Sequence, residues 1–217
     1  MKNIILFDLD GTLTDPRAGM IKSIQYALSY FNVDVENIDK NNMNKFIGPP
    51  IRWSFKELFG FADQDIEKAV EKYREYYVAK GLYENDMYDG IDILLKKLND
   101  SGKTLIVATS KATDQAHEVL RHFGIDKYFS FISGAELNGD RSEKNELILY
   151  AFEKNNIHSK DDCIMVGDRK YDIIGAKTVG IKSIGVLYGF GSYEELTDAG
   201  ADYIVKDVEE LSSFFNI

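Results

Sequence analysis

The sequence has almost no cysteine, and this shortage says something about where the protein works. Its single cysteine, Cys163, cannot form a disulfide within the chain. The lack of an internal disulfide fits a reducing compartment. No apolar run approaches the length of a membrane span, and the chain does not open with a basic segment followed by a long apolar stretch. We therefore expect a cytoplasmic protein that does not bind membranes.

Positive charge and histidine are also scarce. The chain has 26 Lys and Arg residues against 36 Asp and Glu residues, which gives a formal net charge of −10. This balance argues against a general nucleic-acid or anionic-membrane surface, so an anionic substrate would need local cations or a bound metal. The histidines, His117, His122 and His158, match no metal-ligand spacing. We expect no nucleic-acid partner and assign the histidines no role.

The residues that are present are typical of a globular α/β protein. The chain has 217 residues, of which 44% are hydrophobic and 29% charged, and this length suits one domain with a modest insertion. Residues 16–84 are helical in pattern; one strand precedes them, and strand and helix patterns alternate after them. Such alternation is typical of a doubly wound, mainly parallel sheet. We predict an α/β core made of residues 1–15 and 85–217, with an inserted all-helical cap at 16–84.

The first strand ends in a pair of acidic residues. Asp8 and Asp10 follow an apolar run, and side chains alternate along a strand, so both should point the same way while Leu9 packs inward. Gly11 then permits a tight turn. An ionised carboxylate attacks phosphorus, and a second carboxyl group nearby exchanges protons. Asp8 lies deeper in the strand and is the candidate nucleophile; Asp10 is the candidate acid/base.

Two further strands are predicted to end at the same edge of the sheet. Thr109 and Ser110 follow the apolar run 104–108, and Asp168 follows the run 163–166. Ligands of open α/β sheets bind outside the carboxyl ends of the strands. A Thr109 hydroxyl and the free backbone N–H groups of the following turn suit a phosphate oxygen. Together the three strand ends predict a site for a phosphorylated ligand.

Charge balance at this edge predicts a metal. Lys144 lies near the start of a predicted helix, where a cation does not favour the dipole, so reaching an anion explains it better. Asp168 and Asp172 are one helical turn apart and can face the same point. Two carboxylates about 4 Å apart repel by roughly 4 kcal/mol at an effective dielectric of 20, so a cluster with Asp8 requires a cation. Mg²⁺ suits carboxylates completed by water and a phosphate.

These residues occur in the order typical of haloacid dehalogenase superfamily phosphatases, which essentially the whole chain resembles. The matching motifs are Asp8-x-Asp10, Thr109, Lys144 and Gly167-Asp168-x-x-x-Asp172. The last motif reads Gly-Asp-Arg-Lys-Tyr-Asp over residues 167–172 and resembles that of the phosphoglycolate phosphatase group and its 5′-nucleotidase-like relatives. One departure is Asn145, where many members have proline.

The resemblance implies a role for each motif residue on a Rossmann-like core. Asp8 would be nucleophile and metal ligand, and Asp10 the general acid/base that touches the metal through its backbone carbonyl. Thr109 and Lys144 would hold the phosphoryl group. The remaining metal ligands would be Asp168 and, in support, Asp172.

Substrate choice is expected to lie with the cap, and Ser110 is expected to bind the substrate. Gly48 precedes two prolines that expose a helix start, and Arg52 lies one turn further on, where it would clamp a second anionic or polar group. The predicted activity is Mg²⁺-dependent hydrolysis of a small phosphorylated metabolite by a monomer or homodimer. The alternatives are a phosphosugar mutase of the same superfamily and a non-enzymatic phosphoacceptor domain. A dehalogenase is disfavoured, because Asp10 would have no leaving oxygen to protonate.

Overall fold

The computed structural model describes residues 3–33, 51–136 and 141–217. The chain divides into two compact units, one made of Met1–Asp15 with Met87–Ile217 and the other of Pro16–Asp86. The sequence predicts the second boundary between the units at residues 84 and 85, two positions earlier.

The described residues form eight strands and nine α-helices. The strands are β1 (Ile4–Phe7), β2 (Thr14–Asp15), β3 (Asp86–Met87), β4 (Thr104–Ala112), β5 (Phe129–Ala135), β6 (Cys163–Gly167), β7 (Lys182–Val186) and β8 (Tyr203–Val205). The helices are α1 (Arg17–Tyr30), α2 (Ile51–Phe59), α3 (Asp63–Tyr76), α4 (Ile91–Asp100), α5 (Thr113–His122), α6 (Lys144–Lys154), α7 (Lys170–Val179), α8 (Tyr193–Ala199) and α9 (Val208–Phe214). None of these helices has the length and apolar character needed to cross a membrane.

The larger unit is built on one six-stranded parallel sheet. Its strand order is β5-β4-β1-β6-β7-β8, so β1 lies between β4 and β6. All five pairings between neighbouring strands are parallel, and β5 and β8 are the edges. The chain winds outward from β1 in one direction through β5 and then in the other through β8. This is the predicted doubly wound sheet, and its strand order reverses at β1.

The sheet is buried because its central strands are apolar on both faces. Ile5, Leu6 and Phe7 of β1 have no exposed surface. Strands covered on both sides are expected to be continuously apolar, as β1 is. Leu6 belongs to a core cluster with Met165 of β6 and side chains of α6 and α7. Burying each such side chain stabilises the folded state by about 1.5–3 kcal/mol. The packed core therefore holds the strands, and with them their ends, in fixed positions.

The smaller unit contains α1, α2, α3 and a π-helical turn, Tyr77–Gly81. Helix α1 approaches that turn closely, since a Cβ atom on Gly19 would lie 1.9 Å from the carbonyl oxygen of Gly81. The rings of Tyr73 and Tyr77 stack with centroids 5.4 Å apart. The predicted helical pattern is therefore correct for the described part of this unit.

Two details of the sequence-based strand assignment were wrong. Strand β4 does not end before Thr109 but runs to Ala112, with an irregular register between these residues. The short strands β2 and β3 were also missed; they pair with each other where the chain leaves and re-enters the larger unit. Strands of two residues are too short to give an alternating pattern.

Candidate active site

The predicted site residues of the larger unit come from three adjacent central strands. Asp8 follows β1, Asp168 follows β6, and Thr109 lies near the carboxyl end of β4. Because β1 is hydrogen-bonded to both other strands, these residues meet at the point where the strand order reverses.

Lys144 is the central cation of this site. It is the first residue of α6 and is 5% exposed. Its Nζ lies 2.9 Å from Oδ1 of Asp8 and 2.8 Å from Oδ1 of Asp172, and it donates a hydrogen bond of 3.0 Å to the carbonyl oxygen of Ala108. A Cβ atom on Gly175 would lie 2.7 Å from Cβ of Lys144, so a glycine is needed beside it. The lysine thus ties the candidate nucleophile to α7 and β4.

The charge on Lys144 is maintained by its neighbours. Burial alone would lower the pKa of its ammonium group, but Asp172 and Asp8 outweigh that effect and the pKa is raised. The group is therefore a permanent cation at neutral pH.

Three carboxylates converge around this lysine. Asp8, Asp168 and Asp172 each present an oxygen, and these oxygens all lie within 4.8 Å of one another. Burial, together with the charges of Asp172 and Asp8, raises the pKa of Asp168 well above its usual value. Burial raises the pKa of Asp172 to about 6, although Lys144 opposes the shift. One ammonium group does not balance three carboxylates, two of which are buried.

The donor set fits a divalent metal ion. Carboxylate oxygens are the ligands of hard cations, and a cation among them offsets the repulsion that, after burial, raises the pKa of Asp168. Of the predicted ligands, Asp8, Asp168 and Asp172 are brought together here. The fourth, Asp10, lies two residues beyond Asp8 and directs its carboxyl group to another partner.

Asp168 is held by the turn that follows β1 and by the loop that follows β7. The hydroxyl of Thr12 donates to its Oδ1 at 3.2 Å, and the backbone N–H of Phe190 donates to its Oδ2 at 2.8 Å. The surrounding backbone is packed so tightly that a Cβ atom on Gly11 would lie 2.3 Å from Oδ2, and one on Gly189 2.3 Å from Cβ of Asp168. Gly11 also has a φ of 88°, which favours glycine. The carboxylate therefore has one fixed orientation.

Tyr188 stabilises the turn that carries Thr12. Its hydroxyl donates to the carbonyl oxygen of Thr12 at 3.1 Å, and its ring packs edge-on against Tyr88 with centroids 5.0 Å apart. Burial, and to a lesser extent the charge of Asp168, raises the pKa of the Tyr188 hydroxyl. The phenol stays protonated and acts as a donor to the turn that carries Thr12.

Asp10 forms a second ion pair, with a buried lysine. Its Oδ2 lies 2.6 Å from Nζ of Lys111, whose side chain is 4% exposed. Its Oδ1 is buried and has no hydrogen-bond partner among the described residues. Burial raises the pKa of Asp10, against the opposing effect of Lys111. A carboxyl group with a raised pKa is suited to exchange protons.

The remaining predicted residues have structural contacts of their own. Thr109 is buried, and its hydroxyl oxygen accepts a hydrogen bond of 3.2 Å from the backbone N–H of Lys111. Ser110 is exposed, and its hydroxyl donates to the carbonyl oxygen of Ser142 at 3.1 Å. In the smaller unit, Arg52 forms a two-point ion pair with Glu67, with N···O distances of 2.6 and 2.9 Å. Their roles toward a substrate stay predictions.

Gly48, the other predicted substrate contact, lies outside the described residues.

Three features of the site were not assigned from the sequence: Lys111, Thr12 and the loop that contains Phe190. A usable signal existed for the loop, because Gly189-Phe190-Gly191 closely follows β7 and so lies at the same edge of the sheet. Thr12 lies in the turn after β1 and was not singled out from the sequence. No sequence signal points Lys111 inward, since its direction depends on the irregular register of β4.

Comparison with known proteins identifies a family and several relatives. Residues 5–186 match the family model described as haloacid dehalogenase-like hydrolase. A 5′-nucleotidase from Pseudomonas aeruginosa is 45% identical over 207 residues, which cover 95% of this chain and 92% of that protein. The tyrosine-protein kinase PtkA of Mycobacterium tuberculosis is 37% identical over 87% of this chain, and the aligned region spans 63% of PtkA.

Solved structures agree with these matches. A predicted phosphatase from Clostridium acetobutylicum is 49% identical and superposes with a TM-score of 0.90, over 99% of this chain and 98% of that chain.

Proposed function

The chain belongs to the haloacid dehalogenase-like hydrolases, and we propose that it hydrolyses small phosphorylated metabolites with Mg²⁺ through an aspartyl-phosphate on Asp8. The observation that carries this proposal is the fixation of one Asp8 oxygen. Oδ1 accepts a hydrogen bond of 2.8 Å from the backbone N–H of Leu9 and lies 2.9 Å from Nζ of Lys144. With Oδ1 held in this way, Oδ2 is the oxygen that attacks.

The first step transfers the phosphoryl group to the protein. Oδ2 of Asp8 forms a bond to phosphorus while the bond from phosphorus to the leaving oxygen breaks. The carboxyl group of Asp10 donates a proton to that oxygen, so that it leaves as an alcohol. The raised pKa of Asp10, caused by burial, favours the protonated form that this step needs.

The second step releases phosphate. A water molecule attacks phosphorus, and its proton passes to the Asp10 carboxylate left by the first step. The bond between phosphorus and Oδ2 breaks, which restores the Asp8 carboxylate and the Asp10 acid. Each catalytic cycle therefore consumes one water and returns both residues to their starting state.

Lys144 and Thr109 would stabilise the transferred group. Lys144 remains a cation at the site because Asp8 and Asp172 raise its pKa. A fixed positive charge next to the nucleophile favours a dianionic substrate and the charge that spreads over its oxygens. Thr109 supplies a hydroxyl from the neighbouring strand.

The metal would be held by Asp8, Asp168 and the backbone carbonyl of Asp10, with Asp172 in support. When bound, a hard divalent cation offsets the repulsion between the Asp8 carboxylate and an incoming phosphate. The chain's own contribution is to hold Asp168 rigidly, through Thr12 and the Phe190 backbone.

Nucleoside 5′-monophosphates and phosphoglycolate are the substrates we put first. The first is supported by the similarity to a 5′-nucleotidase and the second by a more distant relative, 27% identical, named phosphoglycolate phosphatase. A phosphosugar mutase uses the same catalytic set and is distinguished by its product.

The deciding experiment measures phosphate release from nucleoside monophosphates, phosphoglycolate, sugar phosphates and pyrophosphate, with Mg²⁺ and with EDTA. We expect activity with Mg²⁺ only, and its loss in Asp8→Asn. The matched control is Asp198→Asn, which removes the same charge from an exposed position on α8. Retained turnover in Asp8→Asn refutes the mechanism, and an isomerised phosphosugar without phosphate release identifies a mutase.

A further inference from the structure

Lys111 is aimed into the site by an irregularity in β4. Along the β4–β5 pair, Thr109 is opposite Gly134 and Ala112 is opposite Ala135, so two residues of β4 have no counterpart. Extra residues of this kind bend a strand and redirect a side chain, and they are frequent next to active sites. The backbone N–H of Lys111 donates to the Thr109 hydroxyl at 3.2 Å, which closes the bulge.

The bulge also depends on a glycine in the neighbouring strand. A Cβ atom on Gly134 would lie 2.8 Å from the carbonyl oxygen of Lys111 and 2.6 Å from Cα of Thr113. The close backbone approach is therefore built into β5 as well as β4. Strand β4 in this way serves both lysines of the site, since its Ala108 carbonyl accepts from Lys144.

The direction of Lys111 matters because of what it reaches. Its Nζ lies 2.6 Å from Oδ2 of Asp10, with both charges largely removed from solvent. Burying a lysine is costly unless it is paired, and the Asp10 carboxylate supplies such a pairing. The pairing fixes Oδ2 and turns Oδ1 of Asp10 into a buried position without a hydrogen-bond partner in the described part of the chain.

We propose that Lys111 is a positioning residue for proton transfer: it holds Oδ2 of Asp10 so that Oδ1 faces the leaving oxygen and, later, the attacking water. The inference rests on the proposed function and adds a residue to it. In both steps the proton is carried by Oδ1, and Lys111 neither gains nor loses one.

The test is a double-mutant cycle on Lys111→Met, Asp10→Asn and the combined variant, assayed with p-nitrophenyl phosphate and Mg²⁺. Acid-quenched samples are analysed by intact-mass spectrometry to measure the fraction of phosphoenzyme. Loss of a general acid/base costs about 10²–10⁴-fold in rate. Misplacing one by about 1 Å costs on the order of 100-fold, so we expect Lys111→Met to lower kcat about 10- to 100-fold with little change in KM.

Two results are specific to positioning. The phosphoenzyme fraction rises in Lys111→Met as it does in Asp10→Asn, which a loss of folded protein does not produce. In the Asp10→Asn background, Lys111→Met has no further effect, and kcat stays within about threefold, because residues acting as one unit are not additive. Lys111→Arg keeps the cation and restores part of kcat.

The combined variant keeps the inference testable if Lys111→Met folds poorly, because it removes both members of the buried pair. The control Lys96→Met breaks an exposed ion pair with Asp100 on α4 and is expected to be fully active.

The inference is overturned by wild-type kcat in Lys111→Met, by losses that multiply in the combined variant, or by a raised KM at constant kcat, which indicates a substrate contact. Inactive wild-type protein, or active Asp8→Asn, instead refutes the proposed function.

Discussion

Thr12 donates a hydrogen bond from its side chain to Oδ1 of Asp168, although 156 positions separate the two residues in the chain. The bond links the turn after β1 to the end of β6. Because β1 and β6 are neighbours in the sheet, a residue of the first turn orients a carboxylate of the last motif. Partners that orient a metal ligand in this way contribute strongly to metal affinity.

Replacement of Thr12 by Val removes this donor while keeping the shape of the side chain. We expect Mg²⁺ affinity to fall about 10- to 100-fold. The free energy of unfolding without metal should fall by about 1–3 kcal/mol, because a buried acceptor loses its partner. Titration calorimetry and urea unfolding measure the two effects. In the control Thr178→Val, the lost bond is to a carbonyl within the exposed face of α7, so metal affinity should be unchanged. Wild-type affinity in Thr12→Val contradicts the orienting role.

The tight packing around Asp168 predicts that Gly189→Ala damages the site. The new Cβ atom would lie 2.3 Å from both Cβ of Asp168 and the carbonyl oxygen of Gly11, so the carboxylate or the loop must move. Overpacking of this kind costs about 1–3 kcal/mol of stability. We also expect at least a 10-fold loss of Mg²⁺ affinity, about what removal of a ligand's support causes.

The control for this change is Gly102→Ala, at a turn between α4 and β4. Gly102 has a φ of 77°, and a Cβ atom added there would have no neighbour within 4 Å, so alanine brings backbone strain without a collision. Its stability should fall and its Mg²⁺ affinity should not. Equal effects of the two substitutions on metal binding would show that general destabilisation, and not the position of Asp168, is responsible.

Asp202 makes stability depend on pH at a point away from the site. Its Oδ2 accepts a hydrogen bond of 3.0 Å from the backbone N–H of Ser183, and it pairs with Lys182. Burial raises the pKa of Asp202, but Lys182 and the Ser183 N–H outweigh it and the pKa is lowered. A lowered pKa stabilises the folded state above the unfolded pKa of about 3.9, and this contribution is lost as the pH falls through the folded value.

Asp202→Asn should therefore lower the free energy of unfolding at neutral pH by less than about 1 kcal/mol, since the carboxylate is partly solvated. The difference from wild type should shrink below about pH 4. Chemical unfolding across this range, with the exposed Asp198→Asn as the charge-matched control, measures it. A difference that is constant with pH would mean that Asp202 acts through packing and not through its charge.

The sequence was sufficient to predict the fold and to predict that Asp8, Asp168, Asp172 and Lys144 lie together; their roles stay predictions. The predicted family, with its relatives named 5′-nucleotidase and phosphoglycolate phosphatase, is confirmed. Apolar runs that end in acidic residues predicted the positions of Asp8 and Asp168. The carboxyl ends of parallel strands lie at one edge of the sheet, however far apart they are in the chain. Lys144 was singled out because a cation near the start of a helix is unfavourable for the helix dipole. In the structure it lies between two carboxylates.

The contacts that orient those residues were not accessible in the same way. Lys111 points inward only because of a bulge in β4, and neither β propensity nor alternation specifies a bulge. The bond from Thr12 and the backbone donor at Phe190 depend on how two loops pack around Asp168. Such contacts follow from tertiary packing, for which a single sequence has no periodic signal.

The central place of β1 in the sheet has a consequence for how the protein is made. Ile4 pairs with both Thr104 and Cys163, so the second partner of β1 is synthesised long after β1 itself. At about 5–20 residues per second, the ribosome needs on the order of 10 to 30 s to reach it. During that interval one edge of an apolar strand has no neighbour, and the nascent chain is exposed to aggregation. Catalytic competence arrives late in translation, when the last of the central strands docks.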